Sequence, residues 1–272
     1  MSNIFKLANI RGINNIVNMR KKIKNSFDGI AESYYDFVPS LSPKYIKFLQ
    51  KTFDIKSEDK IIDLGCGSGD LALELSKYST FVEGIDISKD MIKMAEEKDT
   101  HNKVKWINKS VDRFDLGKNK YDIIISFESF HLFPNQVKLI KRCAKSLKAG
   151  GILCIGWRMF AFDMPLQHAL EETFAEYNVP YEFGYWTCPN FPEICLQAKT
   201  DLSTLRKKTM NVKTRVANEV IMKYIFNLSN SAHLREDLKK KLSQSLWKKM
   251  LKIFPSGECI GYDQYTIMYC HT

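Results

Sequence analysis

The sequence predicts an α/β fold, with helices on both faces of a seven-stranded and mostly parallel sheet. Between residues 60 and 157, short apolar segments alternate with amphipathic segments of helical period, and the first apolar segment runs into a glycine-rich turn. The chain has 272 residues and 44% hydrophobic composition, which is enough for a large core. Such alternation is typical of parallel strands joined by crossover helices, because each helix must bury its apolar side against the sheet.

An N-terminal helical cap is expected over residues 1–55, ahead of the first strand. The first 26 residues carry arginine and lysine but no acidic residue, and their apolar spacing permits a loosely held amphipathic helix. Residues 27–53 predict two helices, interrupted at residues 38–43 by two prolines and two serines. We expect both helices to lie beside the core sheet.

The core sheet is predicted to comprise residues 56–158 and 201–272. Its first five strands are short and apolar, as expected for strands that are buried on both faces. The helix after the second strand has Ser88 as its N-cap, and Met91 and Ala95 lie on one face of it. The predicted strands are residues 60–64, 81–86, 104–108, 121–127 and 152–157, and the helices between them are residues 71–78, 88–98 and 136–147.

The regular alternation ends after Trp157. Residues 159–200 contain four prolines and many aromatic residues, which favours a substrate-lid insertion over the crevice at the carboxyl ends of the strands. Segments 205–212 and 262–270 are expected to complete the sheet, with helices over residues 218–228 and 234–253 between them. The whole chain, residues 1–272, is therefore interpreted as a single domain.

Charge, cysteine content and hydropathy limit the classes of function. The net charge of +10 fits either an anionic partner such as nucleic acid or a solvated basic surface. The seven cysteines include no Cys-x-x-Cys pair, so no zinc site is expected, and the thiols are interpreted as free in a reducing compartment. No apolar run approaches the roughly 20 residues of a membrane-spanning helix, and no secretory signal is evident. A soluble cytoplasmic protein is expected.

The turn after the first strand reads Asp63-Leu64-Gly65-Cys66-Gly67-Ser68-Gly69-Asp70. Glycine at alternate positions lets the backbone pass close to a ligand before the next helix begins. A dinucleotide-binding loop of the Gly-x-Gly-x-x-Gly type would have glycine at position 70, where this chain has Asp70. The carboxylates of Asp63 and Asp70 favour a cationic ligand over a pyrophosphate. The second strand ends at Asp86, the position of an acid that binds ribose hydroxyls in nucleotide sites.

With this turn and Asp86, residues 27–157 resemble the class I S-adenosylmethionine-dependent methyltransferases. The resemblance implies a Rossmann-like sheet and, as cofactor, S-adenosylmethionine, which carries an ammonium and a sulfonium and is converted to S-adenosylhomocysteine. It implies that the three glycines lie under the methionine moiety and that Asp63 helps to hold the ammonium through water or backbone. The other implied cofactor contacts are Asp86 to the ribose, Ile87 and Met91 to the adenine, one of Ser110, Val111 and Asp112 to the adenine amino group, and Cys66 and Phe127 alongside them.

A closer resemblance is to the small-molecule branch that includes the trans-aconitate methyltransferases. It depends on Phe27, Ala31, Tyr34 and Pro39, and on the segment Glu128-Ser129-Phe130-His131-Leu132-Phe133 after the fourth strand. That branch often has glutamine at the position of Glu128 and tryptophan at the position of Leu132. The resemblance implies a small-molecule acceptor.

Four residues are candidates for contact with the acceptor. Methyl transfer from a sulfonium is an in-line displacement that requires orientation and, where needed, a base, but no nucleophile or metal. His131 is either the general base or a residue that packs against or positions the substrate. Arg158 either holds a substrate carboxylate, with Trp157 as an apolar wall, or is a surface arginine. Tyr34 either closes over the cofactor or belongs to the core.

The sequence therefore predicts methyl transfer to an oxygen or nitrogen of a small molecule, and an anionic or phenolic acceptor would suit Arg158 and His131. An RNA methyltransferase is disfavoured because no Asn-Pro-Pro-Tyr-like motif follows the fourth strand, where the chain reads Ser126-Phe127-Glu128-Ser129. A nicotinamide-dependent oxidoreductase is disfavoured by the glycine spacing. A cofactor-binding protein without catalysis stays open, since one fold hosts many functions.

Overall fold

The computed structural model describes residues 41–162, 164–179, 190–200, 202, 205–223, 225–226 and 234–272. The strands of this part of the chain are β1 Lys60–Leu64, β2 Phe81–Asp86, β3 Val104–Asn108, β4 Tyr121–Phe127, β5 Leu147–Phe162, β6 Arg206–Ala217 and β7 Glu258–His271. They form one seven-stranded sheet in the order β3-β2-β1-β4-β5-β7-β6. The pairs among β1 to β5 are parallel, whereas β7 is antiparallel to β5 and β6. The predicted fold class is confirmed.

Helices of the described residues pack on this sheet and on one another. They are α1 Pro43–Phe53, α2 Asp70–Leu75, α3 Lys89–Lys98, α4 Gln136–Ser146, α5 Met164–Glu176, α6 Phe191–Ala198, α7 Asn218–Lys223 and α8 Glu236–Ile253, with a 3-10 turn at Phe130–Leu132. None of these helices combines the length and the apolar composition that crossing a membrane requires. The predicted cap helices before residue 41, and Tyr34 with them, lie outside the described residues.

The helix α1 illustrates how local sequence sets an element. It starts at Ser42, whose hydroxyl accepts a hydrogen bond from the Lys44 N–H at 3.3 Å, and Pro43 occupies its first turn. It ends at Asp54, which adopts a left-handed conformation. Its buried side chains recur at helical spacing and face the sheet; they are Tyr45, Ile46, Leu49 and Phe53.

Alternation along the strands divides the apolar side chains into two cores, one on each face of the sheet. Ile61 and Ile123 belong to the core that α1 covers, whereas their neighbours Ile62 and Ile124 belong to the core on the opposite face. All four side chains are buried, so the two cores hold β1 and β4 from both sides. This arrangement explains the consecutive isoleucines in both strands.

The strands β5 and β6 are longer than predicted. β5 was expected over residues 152–157 and β6 over residues 205–212. β5 instead begins at Leu147, which pairs with Tyr121 of β4, and pairing with β7 extends β5 to Phe162 and β6 to Ala217. The last pair between β4 and β5 is Phe127 with Gly156, whereas β5 continues alongside β7 as far as Phe162. The three strands β5, β7 and β6 therefore extend past the carboxyl end of β4 as an arm.

The segment predicted as a lid contributes the end of β5 and the helices α5 and α6. Pro165 and Pro192 lie in the first turns of these helices, where proline is tolerated because its missing N–H has no intrahelical partner. α5 packs with α7 and α8 in a third core, which includes Leu170 and Leu246. α6 instead packs through Phe191 into the core on the face of the sheet opposite α1. The division into cap, core and lid stays a prediction.

Candidate active site

The carboxyl ends of β1, β2 and β4 meet at one edge of the sheet. In the strand register, Asp63 of β1 lies beside Gly84 of β2 and Ile125 of β4. Because side chains alternate along a strand, Asp63, Asp86 and Phe127 project from the same face, the one that α1 covers. The fold thus brings together residues that are far apart in the sequence.

The glycine turn after β1 closes against β2 and against the loop after β4. The N–H groups of Gly65 and Cys66 donate to the Ile85 carbonyl oxygen at 2.8 and 3.0 Å. Gly65 and Gly69 have φ values of +72° and +82°, a region that disfavours side chains. A Cβ at position 65 would lie 2.6 Å from the Ser129 Cβ, and one at position 69 would lie 2.4 Å from the Trp106 ring. Both positions therefore require glycine for conformation and for packing.

The Asp86 carboxylate is held in one orientation by two backbone N–H groups. Its Oδ1 accepts from the Ser88 N–H at 2.9 Å, and its Oδ2 accepts from the Gly67 N–H at 2.9 Å. Hydrogen bonds to a carboxylate are stronger than those between neutral groups. They connect the end of β2 to the glycine turn, so the predicted ribose-binding acid and the predicted methionine-binding loop form one unit.

The Asp63 carboxylate is buried, and its Oδ1 has no hydrogen-bond partner among the described residues. Burial, and then the charge of Asp86, raises the pKa of Asp63 to about 8. A buried carboxylate oxygen without a donor is costly, and a cationic ligand removes that cost. Together with the cradle of glycines, this oxygen fits the ammonium of S-adenosylmethionine.

The nearby Cys66 is a half-buried thiol in the same turn. Its Sγ lies 3.6 Å from the Gly67 carbonyl oxygen. Burial and the negative charges of Asp63 and Asp86 raise the pKa of Cys66 well above its ordinary value. A raised pKa disfavours the thiolate, which is the nucleophilic form of cysteine.

The residues predicted to contact adenine differ in exposure. The side chain of Ile87 is 50% exposed at the end of β2, whereas Met91 is buried in α3. Val111 packs into the core opposite α1, Ser110 is half-buried and Asp112 is exposed. They belong to the loop after β3, and Arg142 holds this loop by donating to the carbonyl oxygens of Val111, Asp112 and Phe114.

The loop after β4 is tied to the end of β1 by two serines. The hydroxyls of Ser126 and Ser129 donate to the Leu64 carbonyl oxygen at 3.0 and 2.7 Å. Between them, Glu128 adopts a φ of +56°, and its N–H donates to the Gly156 carbonyl oxygen at 2.9 Å. A left-handed conformation is unusual for a glutamate, so the surrounding contacts must enforce it.

Glu128 begins a polar cluster that sequence reasoning did not assemble, and we call it the acidic cluster: Glu128, Arg158, Asp263 and Tyr265. The Arg158 side chain is only 8% exposed, and its Nη2 lies 3.8 Å from the Glu128 Oε2. Tyr265 of β7 pairs directly with Arg158 of β5, and Asp263 is two residues away on the same face. The interpretation of Arg158 as a surface arginine is wrong.

The charges of the acidic cluster perturb one another. Burial lowers the pKa of Arg158, but Glu128, Tyr265 and Asp263 outweigh it and hold the guanidinium charged. Burial raises the pKa of Glu128 and that of Asp263, and Arg158 opposes the rise in both. The cluster therefore contains one firmly held cation and two carboxyl groups whose proton affinity is raised.

The other predicted acceptor contacts are Trp157, His131 and Tyr34. Trp157 precedes it on β5 and projects from the opposite face into the other core, so the two side chains do not form a common wall. His131 lies in the 3-10 turn after β4, half-buried and next to the buried Phe130. Tyr34 is outside the described residues. The roles of His131 and Trp157 stay predictions.

Comparison with known proteins gives one family and several distant relatives. Residues 55–254 match the model of a family described as methyltransferase domain. The ubiquinone biosynthesis O-methyltransferase of Hydrogenovibrio crunogenus is 29% identical over 136 residues, which cover 47% of this chain and 56% of that protein. An uncharacterized methyltransferase of Schizosaccharomyces pombe is 35% identical over 99 residues, covering 36% of this chain and 38% of that protein. The chain thus matches little more than half of the first relative.

Solved structures share the fold at low sequence identity. A candidate type II methyltransferase of Anaeromyxobacter dehalogenans has a TM-score of 0.60 at 14% identity, covering 86% of this chain and 97% of that one. Phosphoethanolamine N-methyltransferase 2 of Haemonchus contortus, solved with S-adenosyl-L-methionine, has a TM-score of 0.51 at 17% identity, covering 88% of this chain and 55% of that one. The resemblance to the trans-aconitate branch stays a prediction. The chain belongs to the methyltransferase domain family, which confirms the prediction of a class I S-adenosylmethionine-dependent methyltransferase.

Proposed function

We propose that this protein transfers the methyl group of S-adenosylmethionine to an oxygen or nitrogen atom of a small molecule. The observation that carries the proposal is the buried Asp63 Oδ1, which lacks a donor among the described residues and belongs to the residue two positions before the glycine turn. An ammonium supplies the missing partner. The small-molecule acceptor is supported by the name of one relative, an O-methyltransferase of ubiquinone biosynthesis.

The residues proposed to hold the cofactor act on different parts of it. S-adenosylmethionine supplies a methyl group that is already activated by its sulfonium. Asp63 binds the ammonium, the backbone of residues 65–69 borders the methionine moiety, and Asp86 accepts from the ribose hydroxyls. Ile87 packs on the adenine because its apolar side chain is half exposed at the strand end. The remaining proposed contacts are Cys66, Met91 and Phe127 around the pocket, with Ser110 or Asp112 at the adenine amino group.

The chain has two tasks on the acceptor side, alignment and exclusion of water. An in-line displacement is fast only when the acceptor atom is aligned behind the methyl carbon. The arm of β5, β7 and β6 extends past the end of β4 and is packed by the core of α5, α7 and α8. We propose that this arm and these helices form the lid over the site. We also propose that His131 positions the acceptor beneath the lid.

The cofactor assignment is tested by calorimetric titration with S-adenosylmethionine and S-adenosylhomocysteine. Replacing Asp86 with asparagine exchanges one accepting oxygen for a donor that faces an N–H group, so affinity should fall at least about tenfold, which corresponds to about 1.4 kcal/mol. Asp54→Asn is the matched control, because Asp54 is 86% exposed at the end of α1. Equal affinities in the wild type and Asp86→Asn would remove Asp86 from the site.

The acceptor class is tested by incubating the protein with methyl-labelled S-adenosylmethionine and a cell extract. Label in small, extractable molecules supports the proposal. Label in a nuclease-sensitive polymer would instead make RNA the acceptor, and binding that weakens steeply with salt would accompany it. Tight cofactor binding without any transfer of label would leave a cofactor-binding protein without catalysis.

A further inference from the structure

We propose that Glu128 is the base that takes the proton of the acceptor, and that the acidic cluster selects a neutral O–H or N–H acceptor over an anionic one. This inference rests on the proposed function. It depends on where the cluster lies, on its balance of charge and on the strained backbone of Glu128.

The cluster lies beside the proposed site of the cofactor ammonium. Tyr45 of α1 stacks on Tyr265 with ring centroids 4.3 Å apart, and its hydroxyl is buried without a hydrogen-bond partner among the described residues. Burial, followed by Cys154, Glu128, Tyr265 and Asp63, raises the pKa of Tyr45. Asp63 pairs with Ile125 of β4 in the strand register, and Glu128 directly follows the last residue of β4, so both carboxyl groups lie at the same edge of the sheet.

The backbone of Glu128 is held in an unusual conformation. Its φ of +56° is a conformation that glutamate rarely adopts, and flanking hydrogen bonds from Ser126 and Ser129 to the Leu64 carbonyl oxygen hold the loop in place. The Glu128 side chain keeps 32% of its surface exposed, whereas Arg158 behind it is almost fully covered. Strained residues of this kind occur at functional sites, where the surrounding structure over-determines their position.

The balance of charge argues against an anionic acceptor. Arg158 is the only cation of the acidic cluster, and it faces the carboxyl groups of Glu128 and Asp263 and the hydroxyl of Tyr265. A carboxylate or phosphate on the acceptor would therefore meet two carboxyl groups and a guanidinium that is already paired. An O–H or N–H donor instead finds an acceptor oxygen on Glu128. The anionic part of the acceptor prediction thus loses its support, because that part depended on Arg158.

The proposed step balances in atoms and electrons. The Glu128 carboxylate accepts the proton of the acceptor O–H or N–H, and the acceptor lone pair forms a bond to the methyl carbon. The bond between that carbon and sulfur breaks, and its electron pair stays on sulfur, which becomes a neutral thioether. Arg158, Asp263 and Tyr265 act as positioning residues, since they set the place and the proton affinity of the Glu128 carboxylate.

The test compares Glu128→Gln with Glu58→Gln, an exposed glutamate in the turn before β1. Each protein is incubated with methyl-labelled S-adenosylmethionine and a small-molecule extract of bacterial cells, and the labelled product is passed over an anion-exchange resin at neutral pH. We expect the product to flow through the resin. We expect Glu128→Gln to lower kcat by about 10²–10⁴-fold, the usual contribution of a general base, with cofactor affinity within about twofold of wild type.

The pH profile separates a base from a merely structural residue. In the wild type, kcat should rise with pH through one ionisation that Glu128→Gln lacks, and the variant should recover activity at high pH, where the acceptor loses its proton to solvent. Product retained on the resin, or a kcat in Glu128→Gln within about threefold of wild type, overturns this inference and leaves the proposed function standing. Absence of labelled product with the wild type overturns both.

Discussion

Replacing Gly69 with alanine separates the two reasons for which the glycine turn needs glycine. At φ +82° an L-residue costs about 1–2 kcal/mol. The new Cβ would also lie 2.4 Å from the Trp106 ring and 2.9 Å from the Ala95 Cβ, and overpacking of this kind costs a further 1–3 kcal/mol or so. We therefore expect the free energy of unfolding of the ligand-free protein to fall by about 2–5 kcal/mol.

The matched control for this substitution is Gly150→Ala. Gly150 has a similar φ of +75°, but a Cβ there would meet no atom within 4 Å. The control should therefore lose only the backbone cost, about 1–2 kcal/mol. Urea unfolding without ligand measures both variants, and the difference between their midpoints isolates the contact with Trp106. Equal losses in the two variants would refute the packing argument at Gly69.

Three further predictions follow from the structure. In the ligand-free protein, the free energy of unfolding should fall by up to about 1.4 kcal/mol per pH unit as pH rises from about 4 to about 8, because Asp63, with a pKa of about 8 in the folded protein, keeps a proton that the unfolded chain releases near 3.8. Urea unfolding across this range should show a weaker pH dependence in Asp63→Asn. An equal pH dependence in both proteins would contradict the conclusion that burial raises the pKa of Asp63. Replacing Arg142 with lysine should lower the free energy of unfolding by about 1–3 kcal/mol, because lysine keeps the charge but lacks the planar guanidinium that donates to several carbonyl oxygens of the loop. Thermal unfolding measures the effect, and an unchanged Tm would contradict it. Lys98 forms an ion pair with Asp70, and both side chains are more than a third exposed, so Lys98→Gln should lower the free energy of unfolding by at most about 1 kcal/mol. Because salt screens exposed charges, the difference from the wild type should vanish at high salt. A difference that persists at high salt would show that Lys98 stabilises the fold by more than its charge.

The first four strands were predictable from the sequence to the residue. Each is short, and β1, β2 and β4 are largely buried because helices cover both faces of the sheet, whereas the edge strand β3 is mostly half-buried or exposed. The ends of β5 and β6 were not predictable, since pairing with the distant β7 decides them. Much of β6 is exposed, with basic residues such as Lys208 and Lys213, so its sequence lacks the apolar pattern of a buried strand.

The lid and the acidic cluster show two different limits of sequence reasoning. The prolines of residues 159–200 were part of the argument for an insertion, yet Pro165 and Pro192 lie in the first turns of helices, because proline is compatible with a first helical turn and its effect depends on its position. Glu128 was visible in the loop after β4, but Asp263 was not connected to it. Only the antiparallel register of β5 and β7 brings that carboxylate next to Arg158. The unusual φ of Glu128 has no sequence signal at all.

The position of β7 between β5 and β6 governs the order in which the chain can assemble. In the sheet, β6 pairs with β7 alone, although β7 comes later in the chain and lies on the far side of α8 in the sequence. During synthesis, β6 therefore emerges from the ribosome with no partner and must wait for the 14 residues of β7. Before β7 is available, the exposed lysines of β6 disfavour its pairing with strands of other chains, because charged side chains on an unpaired strand oppose edge-to-edge association. A chain released before β7 is made would have an open sheet edge at β5 and neither Asp263 nor Tyr265.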